Sequence, residues 1–276
     1  MRRRWRILAV VAIAVVNGVG CGDSDHERVD PEVMLDSAAT RPIRTANAEI
    51  DLVIRVEGVP EASDPITLRL DGPYRSGGGV RIPSFDWRVS ASALGFPVGG
   101  RLVSTGDNVY LTVYGSRYEV GEPEVAAANR RIAEAGALRL RVRRWLGPAR
   151  VAGEGNAGGV DCERIAAPLR GAQMERDLTP LAAELGISMP AVAGRATACV
   201  GFDDRVLHEL EVNVALRPSA ADGAKLGGAT AVHAKATVVN SDVGEPQQID
   251  APRGASRPIR SLFLILRDFG VPIPLG

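Results

Sequence analysis

The sequence predicts an α+β domain built on an antiparallel sheet. Successive segments alternate apolar and polar residues with a period of two, which is the pattern of strands that bury one face. Their connections are short and rich in Gly, Pro, Asp and Ser. Alanine-rich segments with helical character separate two such series of strands. Because strands joined by short turns pair antiparallel, the first series is predicted to form a meander.

The chain begins with the pattern of an export signal. Residues 2–6, "RRRWR", are basic, and the apolar run 7–16 that follows is shorter than the roughly 20 residues of a membrane-spanning helix. Small residues then lead to Cys21. This order resembles the lipobox of bacterial lipoproteins, whose cysteine receives a diacylglycerol and becomes the first residue after cleavage, although Gly18 stands where that pattern prefers leucine. We therefore predict a signal peptide at 1–20 and lipidation of Cys21; the alternative is ordinary secretion with a free thiol.

A tether and a short helix are predicted next, at 21–45. The polar, acidic stretch "GDSDHERV" follows the cysteine. Asp30 and Pro31 then have the residue types of an N-cap and a first helical position. No shift in composition divides the rest of the chain, so a single α+β domain is predicted at 46–276.

The first strand series is predicted from alternating segments at 49–58, 66–72 and 85–93. A hairpin turning at 106–108 completes this series. A helix is predicted at 122–136, because that segment is alanine-rich, starts with Glu-Pro and ends with Gly.

A second strand series follows this helix. Its predicted strands lie at 160–166, 196–202, 206–216 and 231–240. Helical segments are predicted at 172–186 and 259–267, and the glycine-rich stretch 153–159 is predicted to be a hairpin turn.

Cys162 and Cys199 lie on predicted strands of this second series. In an exported protein an even pair of cysteines suggests a disulfide. Two buried, reduced thiols are the alternative. A zinc site is not expected, because the sequence has no CxxC spacing and only 3 histidines.

No catalytic or cofactor-binding constellation is found. The sequence contains no nucleophile elbow, HExxH motif or phosphate-binding loop. His208 lies in the apolar phase of its strand, which favours a structural role, and Asp203 and Asp204 lie in a predicted turn without an evident partner. We therefore predict no enzyme, no metal and no cofactor. Nucleic acid is not an expected partner either, since the net charge is +0 and aromatic residues are only 4%.

Three stretches behind the leader carry a family resemblance. They begin with "ITLRLDGPYRSGGGVRIPSFDWRVSASALG", "WLGPARVAGEGNAGGVDCERIAAPL" and "VNSDVGEPQQIDAP". Together they resemble the actinobacterial envelope lipoproteins of the LppX/LprG type, which in turn resemble the LolA and LolB carriers. The resemblance implies a strongly curved antiparallel sheet, an unclosed barrel, with helices against its concave face. It also implies that acyl chains are held between sheet and helices.

The expected function is therefore a lipoprotein on the outer face of the bacterial cytoplasmic membrane that binds or carries lipid. The alternative is a non-carrier of structural or sensory role that binds a protein partner. Seven apolar residues are candidates for the lining of a lipid cavity, and for each of them plain core packing is the alternative: Leu52, Ile54, Leu68, Trp87, Val89, Leu210 and Val212.

Overall fold

One sheet of twelve strands organises the part of the chain that the structure describes. The structure is a computed structural model that describes residues 30–78, 81–93, 95–134, 142–184 and 188–259. The predicted signal peptide, Cys21, the stretch 22–29 and nearly all of the predicted helix 259–267 lie outside these residues. Their predictions are not tested.

The twelve strands are defined by their backbone pairing. In chain order they are β1 (Thr45–Glu57), β2 (Ile66–Arg75), β3 (Ser84–Ala93), β4 (Phe96–Ser104), β5 (Val109–Val113), β6 (Ser116–Glu119), β7 (Arg150–Ala157), β8 (Val160–Pro168), β9 (Ala191–Gly201), β10 (Leu207–Arg217), β11 (Ala231–Ser241) and β12 (Arg257–Pro258).

Two meanders meet in the middle of the sheet. Strands β1 to β6 follow one another across one half, β11 to β7 cross the other, and β1 pairs with β11 at the seam. Neighbouring strands pair antiparallel except for β12, which pairs parallel with β6. The sheet is not a closed barrel, because β7 and β12 are its edges. The predicted α+β class with an unclosed antiparallel sheet is confirmed.

The sheet bends strongly on its β7 side. A Cβ added to Gly158, in the turn between β7 and β8, would lie 2.4 Å from the carbonyl oxygen of Asn240 on β11. A flat sheet would hold β8 and β11 about 14 Å apart, since neighbouring strands are spaced by about 4.8 Å. The turn itself is limited to Gly158 and Gly159, whose φ angles are 58° and 84°. The prediction of a turn over all of 153–159 was wrong: most of that stretch belongs to β7, where small residues pair along an edge strand.

Five α-helices accompany the sheet in the described residues. They are α1 (Pro31–Thr40), α2 (Glu122–Glu134), α3 (Val142–Trp145), α4 (Gly171–Glu184) and α5 (Ala220–Lys225).

Helix α1 begins as predicted and belongs to the folded core. The Asp30 carboxylate accepts a hydrogen bond of 2.9 Å from the backbone N–H of Glu32, and Pro31 occupies the first turn. Met34, Leu35 and Ala38 are buried against β8, β9 and β10. Burying a Met or Leu side chain stabilises a fold by about 2 kcal/mol. The sequence analysis grouped this helix with the tether, whereas its packing joins it to the sheet.

A disulfide links Cys162 on β8 to Cys199 on β9, as the sequence predicts. The two residues are 37 positions apart in sequence and their Cα atoms are 5.4 Å apart. Both are buried together with Ala157. The bond therefore links the neighbouring strands β8 and β9 close to the turn between β7 and β8.

Candidate functional site

Strand register places the predicted lining residues on one face of the sheet. Leu52 on β1 lies opposite Leu68 on β2 and opposite Ala236 on β11, and Ala236 lies opposite Val212 on β10. The remaining four candidates reach the same face by the same alternation: Ile54, Trp87, Val89 and Leu210. We call this surface the inner face; helix α1 packs on part of it.

Burial decreases along the inner face from one end of the strands to the other. Where β1 begins, Ala46, Ala48 and Ile50 are buried, and we call this the closed end. Where β1 finishes, Ile54 and Val56 are only half-buried, and we call this the open end. Apolar and polar residues thus alternate in the same way at both ends of β1, but the apolar side chains are fully buried only at the closed end.

Aromatic side chains fill the closed end. The rings of Phe85 and Trp87 are stacked with centroids 4.1 Å apart, and Tyr74 beside them is fully buried. Burial raises the pKa of the Tyr74 phenol to about 12, although a hydrogen bond with Ser76 opposes the shift. Gly72 leaves no space here either, since a Cβ on it would lie 2.2 Å from the Asp86 carbonyl oxygen.

Smaller aliphatic side chains line the open end. The half-buried residues there come from five neighbouring strands: Ile54, Ile66, Leu68, Val89, Val212, Val214, Leu216 and Val232. On β11 the inner face carries Ala234 opposite Ile54 and Ala236 opposite Leu52. An alanine side chain projects less from the sheet than the side chains on the neighbouring strands β1 and β10. The inner face is therefore shallow along β11 and bordered by larger aliphatic side chains.

Sequence reasoning named only part of this surface. Ile66, Val214, Leu216 and Val232 were not among the candidates, although the same period of two marks them. Conversely, Leu210 packs against helix α1 and Trp87 packs with Phe85, so both have a core role. The half-buried Leu68, Val89 and Val212 also pack against the edges of these two clusters. Ligand contact by the half-buried candidates stays a prediction.

A second cluster, polar and buried, lies at the closed end. His208 is 1% exposed, and its Nε2 lies 2.7 Å from Oδ2 of Asp204. The prediction that Asp204 lacks a partner was wrong, because the turn between β9 and β10 brings the two residues together. Burial opposes ionisation of Asp204, but hydrogen bonds from His208 and from the Val206 N–H outweigh it and hold the carboxyl pKa below its usual 3.8.

Arg41 completes this cluster from the end of α1. Its side chain is fully buried, and Nη1 donates to the carbonyl oxygen of Asp204. Burial lowers the pKa of the guanidinium, and the charge of Asp204 partly offsets the shift. The contact ties the helix to the β9–β10 turn. With His208 shielded from solvent and no nucleophile bonded to it among the described residues, the cluster has the features of a structural network.

Paired charges cover the outer face of the sheet. Arg69 lies 2.7 Å from Glu49, Arg88 lies 2.6 Å from Asp71, and Lys235 lies 2.6 Å from Glu211, each pair joining neighbouring strands. Cross-strand pairs of opposite charge favour the observed register. Over β1–β3, β10 and β11 the outer face is therefore polar, whereas the inner face of the same strands is apolar.

The described ranges contain neither a metal-binding cluster nor a membrane-spanning helix. No group of three or more His, Cys, Asp or Glu side chains there is arranged to hold a metal ion. Among the helices of those ranges, none combines the length and hydrophobicity that a membrane span requires.

Comparisons with known proteins give similarities of structure only. No protein-family model matches the chain. No curated protein matches it in sequence. Among solved structures, the chain is similar to the lipoprotein LppX of Mycobacterium tuberculosis, with 12% identity, a TM-score of 0.47 and coverage of 80% of this chain and 98% of that one.

Two other solved structures are similar over a comparable part of the chain. LprF of Mycobacterium bovis has 12% identity and a TM-score of 0.47, with 81% of this chain and 97% of that chain covered. MucB, solved in complex with MucA, has 12% identity and a TM-score of 0.28, with 80% of this chain and 57% of that chain covered.

Proposed function

We propose that this protein is an exported envelope lipoprotein that binds lipid acyl chains on the open end of its inner face. The observation that carries the proposal is the band of half-buried apolar side chains that the strand register assembles there. Each methylene group that leaves water for such a surface contributes about 0.8 kcal/mol. An acyl chain lying along the strands therefore gains enough to offset the cost of ordering it.

The arrangement of the two faces supports an apolar ligand. Ion pairs occupy the outer face of the central strands, whereas the inner face carries the small side chains of Ala234 and Ala236 between larger aliphatic side chains. Sites for small apolar ligands are concave and mainly aliphatic or aromatic. A binding role needs no catalytic group, and the buried His208–Asp204 pair has a packing role in this proposal.

The proposed location follows from the leader. Residues 1–20 act as a signal peptide, and lipidated Cys21 holds the domain on the outer face of the bacterial cytoplasmic membrane. A single acyl chain anchors a protein only weakly, but the two chains of a diacylglycerol hold it stably. Residues 22–29 then form the link to α1, and the domain extends over the remaining chain to residue 276.

Native mass spectrometry of the lipidated protein tests the binding proposal. Ile54 and Val53 are neighbours on β1, but Ile54 lies on the inner face and Val53 on the outer face. We expect Ile54→Asp to lose bound lipid, because a carboxylate would have to be desolvated against the acyl chain. The matched variant Val53→Asp should keep its lipid.

Two results would contradict the proposal. The first is equal lipid content in the Ile54→Asp and Val53→Asp proteins, with both folded by circular dichroism. The second is a wild-type protein that carries no lipid in repeated gentle preparations. That second outcome would favour the partner-binding alternative.

The anchor has its own test. The intact mass of the membrane-extracted protein should include a diacylglycerol on Cys21, and Cys21→Ser should lack this mass. If the Ser variant still carries the lipid mass, the attachment lies at another residue.

A further inference from the structure

Three large apolar side chains are exposed at the open end of the sheet. Phe96 at the start of β4 is 45% exposed, Tyr114 in the turn between β5 and β6 is 58% exposed, and Leu226 just after α5 is 42% exposed. The pairing of the strands places all three beyond the end at which β1 finishes. They form a rim beside the half-buried inner face.

Ordered backbone holds this rim in place. The Tyr114 hydroxyl donates a hydrogen bond of 3.1 Å to the carbonyl oxygen of Pro97, which joins the two turns that carry Tyr114 and Phe96. Leu226 follows a capped helix: Ser219 caps α5, and the Leu226 N–H donates to the Asp222 carbonyl oxygen at 3.0 Å. Exposure of these side chains is therefore a fixed property of the fold.

Exposed charges of both signs occur at both ends of the sheet. The closed end has exposed carboxylates, such as Asp107 and Asp242, and an exposed cation at Arg75. The open end has an exposed cation at Arg217 and an exposed carboxylate at Glu57. The two ends therefore differ in their exposed apolar side chains and not in the sign of their charges.

Helix α1 directs the preceding chain towards the open end. Its first turn lies at the start of β7, where Glu32 accepts a hydrogen bond of 2.7 Å from the Ala149 N–H. Its last residue is followed by Arg41, which contacts the β9–β10 turn at the closed end. The N terminus of α1 therefore points away from the closed end.

Chain length allows the open end to reach the bilayer. Ten peptide units join Cys21 to Pro31, and an extended chain of that length spans at most about 35 Å. Val33, in the first turn of α1, is itself 57% exposed. A lipid on Cys21 would thus hold the domain close to the membrane with α1 leading away from it.

We propose that the open end is a membrane-docking surface, whose rim of Phe96, Tyr114 and Leu226 enters the headgroup region of the bilayer that carries the anchor. The inference rests on the anchored, lipid-binding function proposed above and adds the orientation of the domain. Aromatic side chains favour the membrane–water interface. In this orientation the half-buried inner face opens towards the lipid, so an acyl chain passes between bilayer and sheet without crossing water.

Tryptophan quenching by brominated lipid tests the orientation. The lipidated full-length mature protein is reconstituted into phosphatidylcholine vesicles with brominated acyl chains, as Phe96→Trp or as Phe202→Trp. Phe202 lies in the β9–β10 turn at the closed end, so the two variants make the same change at opposite ends. The parent protein supplies the background of Trp87 and Trp145. We expect at least a twofold loss of the added fluorescence for Phe96→Trp and no loss for Phe202→Trp.

The outcomes separate docking from lipid binding. A protein that floats with the vesicles and carries lipid, but shows no stronger quenching at position 96 than at position 202, overturns the docking surface and leaves the proposed function intact. Quenching at 96 alone, in a protein whose native mass shows no bound lipid, supports docking and counts against lipid binding. Stronger quenching at 202 reverses the orientation and overturns the inference.

Discussion

The closed and open ends of the inner face are built by the same strands with the same alternation, and they differ in what covers them. At the closed end, Trp87 stacks on Phe85 and the side chains are buried. At the open end, Ile54 and its neighbours are half-buried. The comparison teaches that apolar alternation marks a face of a sheet, whereas side-chain size and burial decide whether that face is core or a surface for a ligand.

Replacing a large side chain by alanine should reduce stability by very different amounts at the two ends of the inner face. We expect Trp87→Ala to reduce the free energy of unfolding by about 3–5 kcal/mol, because it leaves a cavity in a filled cluster. Ile54→Ala should cost about 1 kcal/mol, since its side chain is already partly in water. Urea unfolding of the two variants measures both values. Equal losses would mean that the open end is packed as tightly as the closed end.

The polar cluster at the closed end should give a smaller, pH-dependent effect. The pKa of Asp204 is held below its usual 3.8 in the folded state, mainly because hydrogen bonds outweigh burial. Its contribution is therefore complete above the carboxyl pKa of the unfolded chain, about 3.9, and is lost as the pH falls through the lower folded value.

Asp204→Asn tests this contribution. Wild type should be the more stable protein at pH 7, and the difference should shrink below about pH 4. Chemical unfolding at several pH values measures the trend. A constant difference from pH 7 to pH 3 would show that ionisation of Asp204 does not stabilise the fold.

Removing an ion pair from the outer face should have the smallest effect on stability. Arg101 makes a two-point contact with Asp86, in which its Nε lies 2.6 Å from Oδ1, but the Arg101 side chain is 52% exposed. Exposed ion pairs contribute about 0–1 kcal/mol. We expect Arg101→Gln to lower the thermal midpoint by no more than a few degrees, with the shift decreasing at high salt. A loss comparable with that of Trp87→Ala would contradict this view of the outer face.

Local patterns predicted the strands well where both faces are regular. β8 and β11 begin where the sequence analysis placed them, because alternation starts there abruptly. β7 and the start of β4 were missed, since glycine and proline interrupt their alternation. Pairing with a neighbouring strand, which local sequence does not show, overrides the turn preference of those residues.

The sequence predicts which face of the sheet carries the candidate site, but not how burial changes along that face. Alternation identifies Leu52 and Ile54 equally, yet their different burial depends on strand ends and on helix packing. The His208–Asp204 pair was missed for a similar reason, because its contact crosses a turn and joins a strand residue to a loop residue. The sequence does show both residues within one short stretch, "DDRVLH", which is the signal that could have suggested the pair.

The seam between β1 and β11 has a consequence for the order of folding. Glu49 pairs with Val239 there, so β1, the first strand of the domain, can complete its pairing only after β11, one of the last, has been made available. Contacts so far apart in sequence form slowly. If the chain leaves the cytoplasm N terminus first, one edge of β1 stays unpaired until nearly the whole domain has crossed. We therefore expect completion of the sheet to coincide with the end of translocation, and nascent chains to need protection of that edge until then.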